Sequence, residues 1–108
     1  TQSLQIPQMQ VQMFPAIEEM SDELYLGDNI PNPFSGKTRI PYHLLDNGQE
    51  ATIEICDVTG RVIEAFSIKG EENMIEVSMR EFESGVYYYR LIVNQKCVAT
   101  KKMINLTN

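Results

Sequence analysis

Apolar and polar residues alternate with a period of two along most of the chain from Glu23 onward, and the alternation is sharpest near the C-terminus. Such a pattern, rich in β-branched and aromatic residues, predicts half-buried strands rather than helices. Gly85 to Val93 and Cys97 to Leu106, separated by Asn94-Gln95-Lys96, read as a hairpin. In its first strand Tyr87, Tyr89, Leu91 and Val93 share the face expected to carry much of the core, while Val86, Tyr88, Arg90 and Ile92 take the other. Upstream, Lys37 to Leu45 places Ile40, Tyr42 and Leu44 inward. Pro41 cannot donate to a ladder, which predicts an edge position or a neighbouring bulge for that strand. Asp46-Asn47-Gly48 has the composition of a tight hairpin turn.

The next predicted strand is Ala51 to Val58, with Ile53 and Ile55 inward and Thr52, Glu54 and Cys56 outward. Thr59-Gly60 turns the chain into Arg61 to Lys69, where Ile63 and Ala65 compete with Val62, Phe66 and Ile68 for the inward face. Met74 to Met79 aligns Ile75, Val77 and Met79, and Phe82 in the following crossover is a candidate core plug. Before these strands, Leu24 to Gly27 is a short strand candidate, and Ile30-Pro31-Asn32-Pro33-Phe34 is a stiff corner. Two prolines fix their own φ and push their predecessors toward extended geometry. Phe34 is its expected apolar anchor and Ser35-Gly36 its exit turn. The count is about seven strands with turn signals roughly every 8 to 12 residues, which predicts an all-β sandwich of immunoglobulin-like type in two antiparallel sheets.

Residues 1–22 differ from the rest. They are rich in Gln and Met and interrupted by Pro7 and Pro15, and they read as a linker to an upstream domain, leaving 23–108 as the sandwich. Their apolar residues, Leu4, Ile6, Met9, Val11, Met13 and Phe14, could add a strand to a sheet edge, in the same copy or in a second one as a homodimer. No basic start precedes an apolar core with a small-residue cleavage site, so the segment does not read as a signal peptide.

Composition narrows the function. A hydrophobic content of 43% without a run near twenty apolar residues argues against a membrane-spanning helix. A net charge of −6 argues against a nucleic-acid partner, since phosphate binding needs a basic surface. The charge is uneven: residues 84–108 hold Arg90, Lys96, Lys101 and Lys102 and no acid, so they sum to +4 and the remainder to −10. A basic C-terminal hairpin on an acidic body could be a docking feature; strand lysines that keep an exposed face or edge soluble are the simpler reading.

Candidate chemistry is sparse. The single His43 lies on a polar strand face without a Cys or Asp neighbour in sequence, and no glycine-rich phosphate loop or metal-spaced cluster occurs. Neither catalysis nor a cofactor or metal is expected. Cys56 and Cys97 would need Cα atoms within about 7 Å to pair, and free thiols are the simpler reading. The Glu18, Glu19, Asp22, Glu23 cluster lacks the ligand spacing of a calcium loop. Asn105-Leu106-Thr107 matches a glycosylation acceptor pattern.

Five segments carry a resemblance. Leu26 to Phe34, Thr38 to Tyr42, Ile55 to Arg61, Ser84 to Leu91, and Thr100 to Met103, in that order, resemble the C-terminal sorting domain of type IX secretion cargo proteins, the Por secretion tail of type A. The resemblance covers residues 24 to 106. It implies an immunoglobulin-like sandwich that follows a cargo domain and directs it from the periplasm across the outer membrane to the cell surface or extracellular space. It also implies type IX translocon and sortase components as partners; in many members a surface sortase removes the domain and joins the cargo to an anionic lipopolysaccharide. Matched position by position, the sorting-motif residues are Asn32, Pro33 and Phe34 in the corner, Gly60 in its turn, Gly85 and Tyr87 in the penultimate strand, and Lys101, Lys102 and Met103 in the last. Pro41 and Cys56 depart from the pattern, where a polar and an aromatic residue are more usual. The alternative is an immunoglobulin-type module that stays attached to an enzyme or adhesin and binds a carbohydrate or protein. Against it, the chain has no Trp, and most of its five Tyr are expected inside.

Overall fold

The computed structural model describes residues 24–45, 50–70 and 72–106. The linker segment, the acidic cluster at Glu18 to Glu23 and the turn at Asp46 to Gly48 lie outside the described residues. Seven strands form: β1 (Tyr25–Leu26), β2 (Lys37–His43), β3 (Ala51–Cys56), β4 (Val62–Ile68), β5 (Met74–Ser78), β6 (Gly85–Val93) and β7 (Lys96–Asn105). They make two antiparallel sheets, ordered β1-β2-β5 and β4-β3-β6-β7, and no helix occurs among the described residues. This is the expected all-β sandwich.

The core follows the period of two. Ile40, Tyr42 and Leu44 from the smaller sheet meet Ile53, Ile55, Tyr89 and Leu91 from the larger, each at most 2% exposed. Val77, Met79, Met103 and Phe34 belong to it as well, and Phe82 packs half-buried against it. Burying residues of this size stabilises the fold by roughly 1.5–3 kcal/mol for each side chain. The β6–β7 hairpin is tighter than expected: only Asn94 and Gln95 form the turn, both with positive φ (52° and 71°), and Lys96 already pairs with Val93. Positive φ at both central residues is the geometry whose twist matches the flanking strands.

Three local expectations change. β2 is the central strand of its sheet, not an edge, although Pro41 lies within it. Gly27 N–H donates to Pro41 O (2.8 Å), and the reciprocal bond that Pro41 cannot make is replaced by the Tyr89 hydroxyl, which donates to Gly27 O at 2.6 Å. The proline therefore leaves no orphan acceptor. Position 27 must also stay small, because a Cβ there would lie 2.6 Å from Pro41 Cγ. In β4, the bulge between Ile55 and Cys56 pairs them with Glu64 and Val62, skipping Ile63. That extra residue reverses the parity, so Ile63, Phe66 and Ile68 all pack toward the core while Val62 and Ala65 are exposed. Cys56 keeps its outward register but is only 2% exposed, flanked by its cross-strand partners Val62 and Tyr88. Burial pushes its thiol pKa up, and both cysteines are free.

Candidate functional site: the corner and the terminal strand

Residues 30–34 cross from one sheet to the other. Ile30 and Arg39 exchange N–H···O bonds of 2.8 and 2.9 Å on β2, and four residues later Phe34 pairs in parallel with Asn105 on β7. The Ile30-Pro31 and Asn32-Pro33 peptide bonds are both cis. Inside the corner, Asn29 Nδ2 donates to Pro31 O and to Thr38 Oγ1 (3.1 Å each), and the Thr38 hydroxyl donates to Pro31 O (2.8 Å). Asn29 and Thr38 are buried polar residues whose mutual bonds fix the turn.

At the far end the corner covers the outer edge of β7. Phe34 N–H donates to Ile104 O (2.9 Å), and Leu106 N–H donates to Phe34 O (2.7 Å). One step earlier, Ile104 N–H donates to Asn32 Oδ1 (3.0 Å), and Asn32 Nδ2 donates to Lys102 O (3.4 Å). The Asn32 carboxamide thus occupies the ladder sites that its own main chain would fill if the strand continued. Motif residues seventy positions apart are joined directly.

The remaining motif residues divide. Met103 is fully buried and faces Tyr87, its cross-strand partner, so these two shape the core rather than the surface. The Tyr87 hydroxyl donates to Glu83 O (2.7 Å), tying the crossover to the start of β6, and burial raises its pKa. Gly85 pairs with Asn105, its φ of 152° lying where side chains are disfavoured. Gly60 (φ 93°) stands apart, in a turn closed by Asp57, whose Oδ1 accepts from Thr59 N–H, Thr59 Oγ1 and Arg61 N–H. The Thr59 hydroxyl bond is the main reason that the Asp57 pKa is lowered. This turn and Tyr87 border a cleft of about 350 Å³ that also touches Glu81, Phe82 and Glu83.

The two motif lysines are not equivalent. Lys101 Nζ lies 3.0 Å from Asp28 Oδ1, tying β7 to the segment after β1. Lys102 is exposed on the outer face beside Tyr88, and no ion pair to it forms among the described residues. His43 is half-buried at the end of β2 opposite Tyr25. No group of three His, Cys, Asp or Glu that could hold a metal occurs among the described residues.

One residue that sequence reading valued only as a glycosylation pattern turns out to hold the site. Asn105 is fully buried: its Oδ1 accepts from Gly36 N–H (3.4 Å), and its Nδ2 donates to Met79 O (3.2 Å) and Phe82 O (3.4 Å). Its amide is engaged in the core, not presented for modification. A polar residue two positions beyond the inward Met103 was the available signal.

A search of curated protein sequences finds no match. Among solved structures, dimeric latent PorU from Porphyromonas gingivalis superposes with a TM-score of 0.60 at 23% identity, covering 79% of this chain and 9% of that one. CopC from Methylosinus trichosporium OB3b gives 0.46 at 17% identity, covering 80% and 94%. The PorU likeness supports the sandwich fold, and the chain corresponds to a small part of that protein. The family of secretion system C-terminal sorting domains matches residues 30–105, from the corner to the buried Asn105, and the chain belongs to that family, the type IX sorting tails.

Proposed function

We propose that residues 23–108 carry a protein attached upstream through the type IX system, from the periplasm across the outer membrane to the cell surface or medium. Residues 1–22 serve as the linker, and a surface sortase component then removes the domain. The reading assigns no catalytic residue, cofactor or metal, and it places the information in the corner and the terminal strand. The observation that carries it is the junction of Asn32 with Lys102 and Ile104, which joins the first and last motifs of the family on one surface.

The test fuses residues 1–108 to a periplasmic reporter in a strain with a working type IX system. Delivery of the reporter to the surface or medium, and its retention when residues 96–108 are removed, is the expected result. Retention of the complete, folded fusion in the periplasm would reject the sorting role and favour an attached binding module. Mass spectrometry of the released reporter locates the cut, which the linker assignment puts upstream of residue 23.

A further inference from the structure

The parallel pairing of Phe34 with β7 sets a ladder: the N–H and C=O of one residue bond to the groups on either side of Asn105. Continued by one step, that ladder would place the main chain of residue 32 against Lys102 O and Ile104 N–H. The Asn32 side chain takes both places, its Nδ2 on Lys102 O and its Oδ1 on Ile104 N–H. From Lys102 O to Leu106 N–H, three outward main-chain groups of β7 and one just beyond it are therefore engaged within the molecule. A partner approaching this end of β7 meets side chains, not an open ladder.

Which side chains it meets is also set. Met103 is buried, Asn105 is buried and Lys101 is paired with Asp28. Lys102 stands on the outer face next to Tyr88, with its own carbonyl fixed by Asn32. We infer that, within the sorting role proposed above, Lys102 is the lysine a partner protein reads, through a carboxylate on that partner, and that Asn32 is the positioning residue that holds it there. Lys101 has the different task of fastening β7 to the Asp28 segment.

The experiment uses the full 1–108 chain fused to the reporter. Lys102→Gln lowers export about tenfold and Lys102→Arg restores it, whereas Lys101→Gln lowers it less than twofold. Asn32→Ala also lowers export, and in the purified domain the Ile104 amide exchanges about fivefold faster, the loss expected for one hydrogen bond of about 1 kcal/mol. Because both residues act at one contact, Asn32→Ala combined with Lys102→Gln is no worse than Lys102→Gln alone. Should Asn32→Ala fail to fold, Asn32→Asp, which keeps the acceptor for Ile104 N–H and loses only the donor to Lys102 O, is read by export alone: lowered export is expected, and wild-type export overturns the positioning role. Wild-type export by Asn32→Ala despite faster exchange at Ile104 overturns the positioning role. A larger loss from Lys101→Gln than from Lys102→Gln overturns the assignment of the lysines. Retention of the unmodified fusion would instead reject the sorting role itself, so the two failures are distinguishable.

Discussion

The two sides of the sandwich treat their sheet edges in opposite ways. On one side, the corner is bound to β2 by main-chain bonds at Ile30 and to β7 by main-chain bonds at Phe34 and the Asn32 carboxamide, Lys101 of β7 pairs with Asp28 after β1, and the Asn105 carboxamide ties β7 to Gly36 and to the carbonyls of Met79 and Phe82. On the other, β4 and β5 end their sheets as edge strands. Edges are normally blunted by lysine, proline or bulges. The closed side uses all three: prolines in the corner, lysines in β7, and a bulge where Leu91 and Ile92 pair with Ala99 and Cys97. β4 has neither proline nor lysine, only the bulge at its start. The side on which Asn32, Lys101, Lys102 and Met103 lie is thus the one closed by polar contacts. Hydrophobic burial holds both sides, but at the C-terminal end of β7 the corner also engages the outward main chain from Lys102 O to Leu106 N–H.

The largest effect should come from Tyr89, which links the sheets through the core and the Gly27 bond. Tyr89→Ala should cost about 3–5 kcal/mol in denaturant unfolding, and a change near zero would dissolve the distinction between the sides. The same residue gives the comparison a pH signature. Burial holds the neutral phenol, raising its pKa from 10.0 to about 12. The folded pKa is raised, so the unfolded chain gives up its proton first. The contribution is present in full below pH 10 and is lost as pH rises toward 12, amounting to roughly 2–3 kcal/mol. Unfolding curves of wild type and Tyr89→Phe between pH 9 and about pH 12 should converge; parallel curves would contradict this linkage.

Asn105→Ala comes next. It leaves the buried Gly36 N–H without its acceptor and frees two carbonyls, which should cost about 1–3 kcal/mol. Amide exchange at Gly36 and Leu106 should accelerate more than at Thr52 or Glu54 on the distant strand β3. Uniform acceleration would mean that the closed side is no separate unit.

These residues also mark how far the sequence could be read. Alternation made Ile40, Tyr42, Leu44, Ile53, Ile55, Ile75, Val77, Tyr87, Tyr89 and Leu91 legible because side-chain direction in a strand depends only on parity. β4 was ambiguous because a bulge reverses parity without leaving a mark in composition. Pro41 was misplaced because its missing donor is compensated by Tyr89, a residue distant in sequence that no local pattern connects to Gly27. The corner motif and the terminal lysines were legible as separate motifs by resemblance. Their junction was not, since nothing in a lone Asn32 between two prolines says which strand its carboxamide will meet. Asn105 was missed because a polar residue on an inward position reads as a break in the pattern until its partners are known.

A smaller effect is expected from the ion pair. Asp28 is 85% exposed and Lys101 37%, so Asp28→Asn should cost only about 0.2–1 kcal/mol and less at high salt. A larger, salt-insensitive loss would mean that Asp28 supports the turn as well as Lys101.

The smallest effect on stability should lie on the open side, and it is the most direct test of the contrast. Val62 is 43% exposed at the start of β4, and its loss removes little buried area. Val62→Lys should change stability by no more than about 0.5 kcal/mol, as exposed substitutions usually do. What it should change is association. An unpaired edge without lysine or proline can accept a further strand, from a second copy or from residues 1–22, through main-chain bonds that do not depend on side-chain identity. A charged side chain at the start of β4 disfavours that addition because its ammonium would be desolvated by the incoming strand. Light scattering across a concentration series should show self-association of the wild-type chain weakened in Val62→Lys, with Lys102→Glu on the closed side leaving it unchanged. If Lys102→Glu abolished association and Val62→Lys did not, β7 would be the open edge and the closure by Asn32 and Phe34 would not hold in solution.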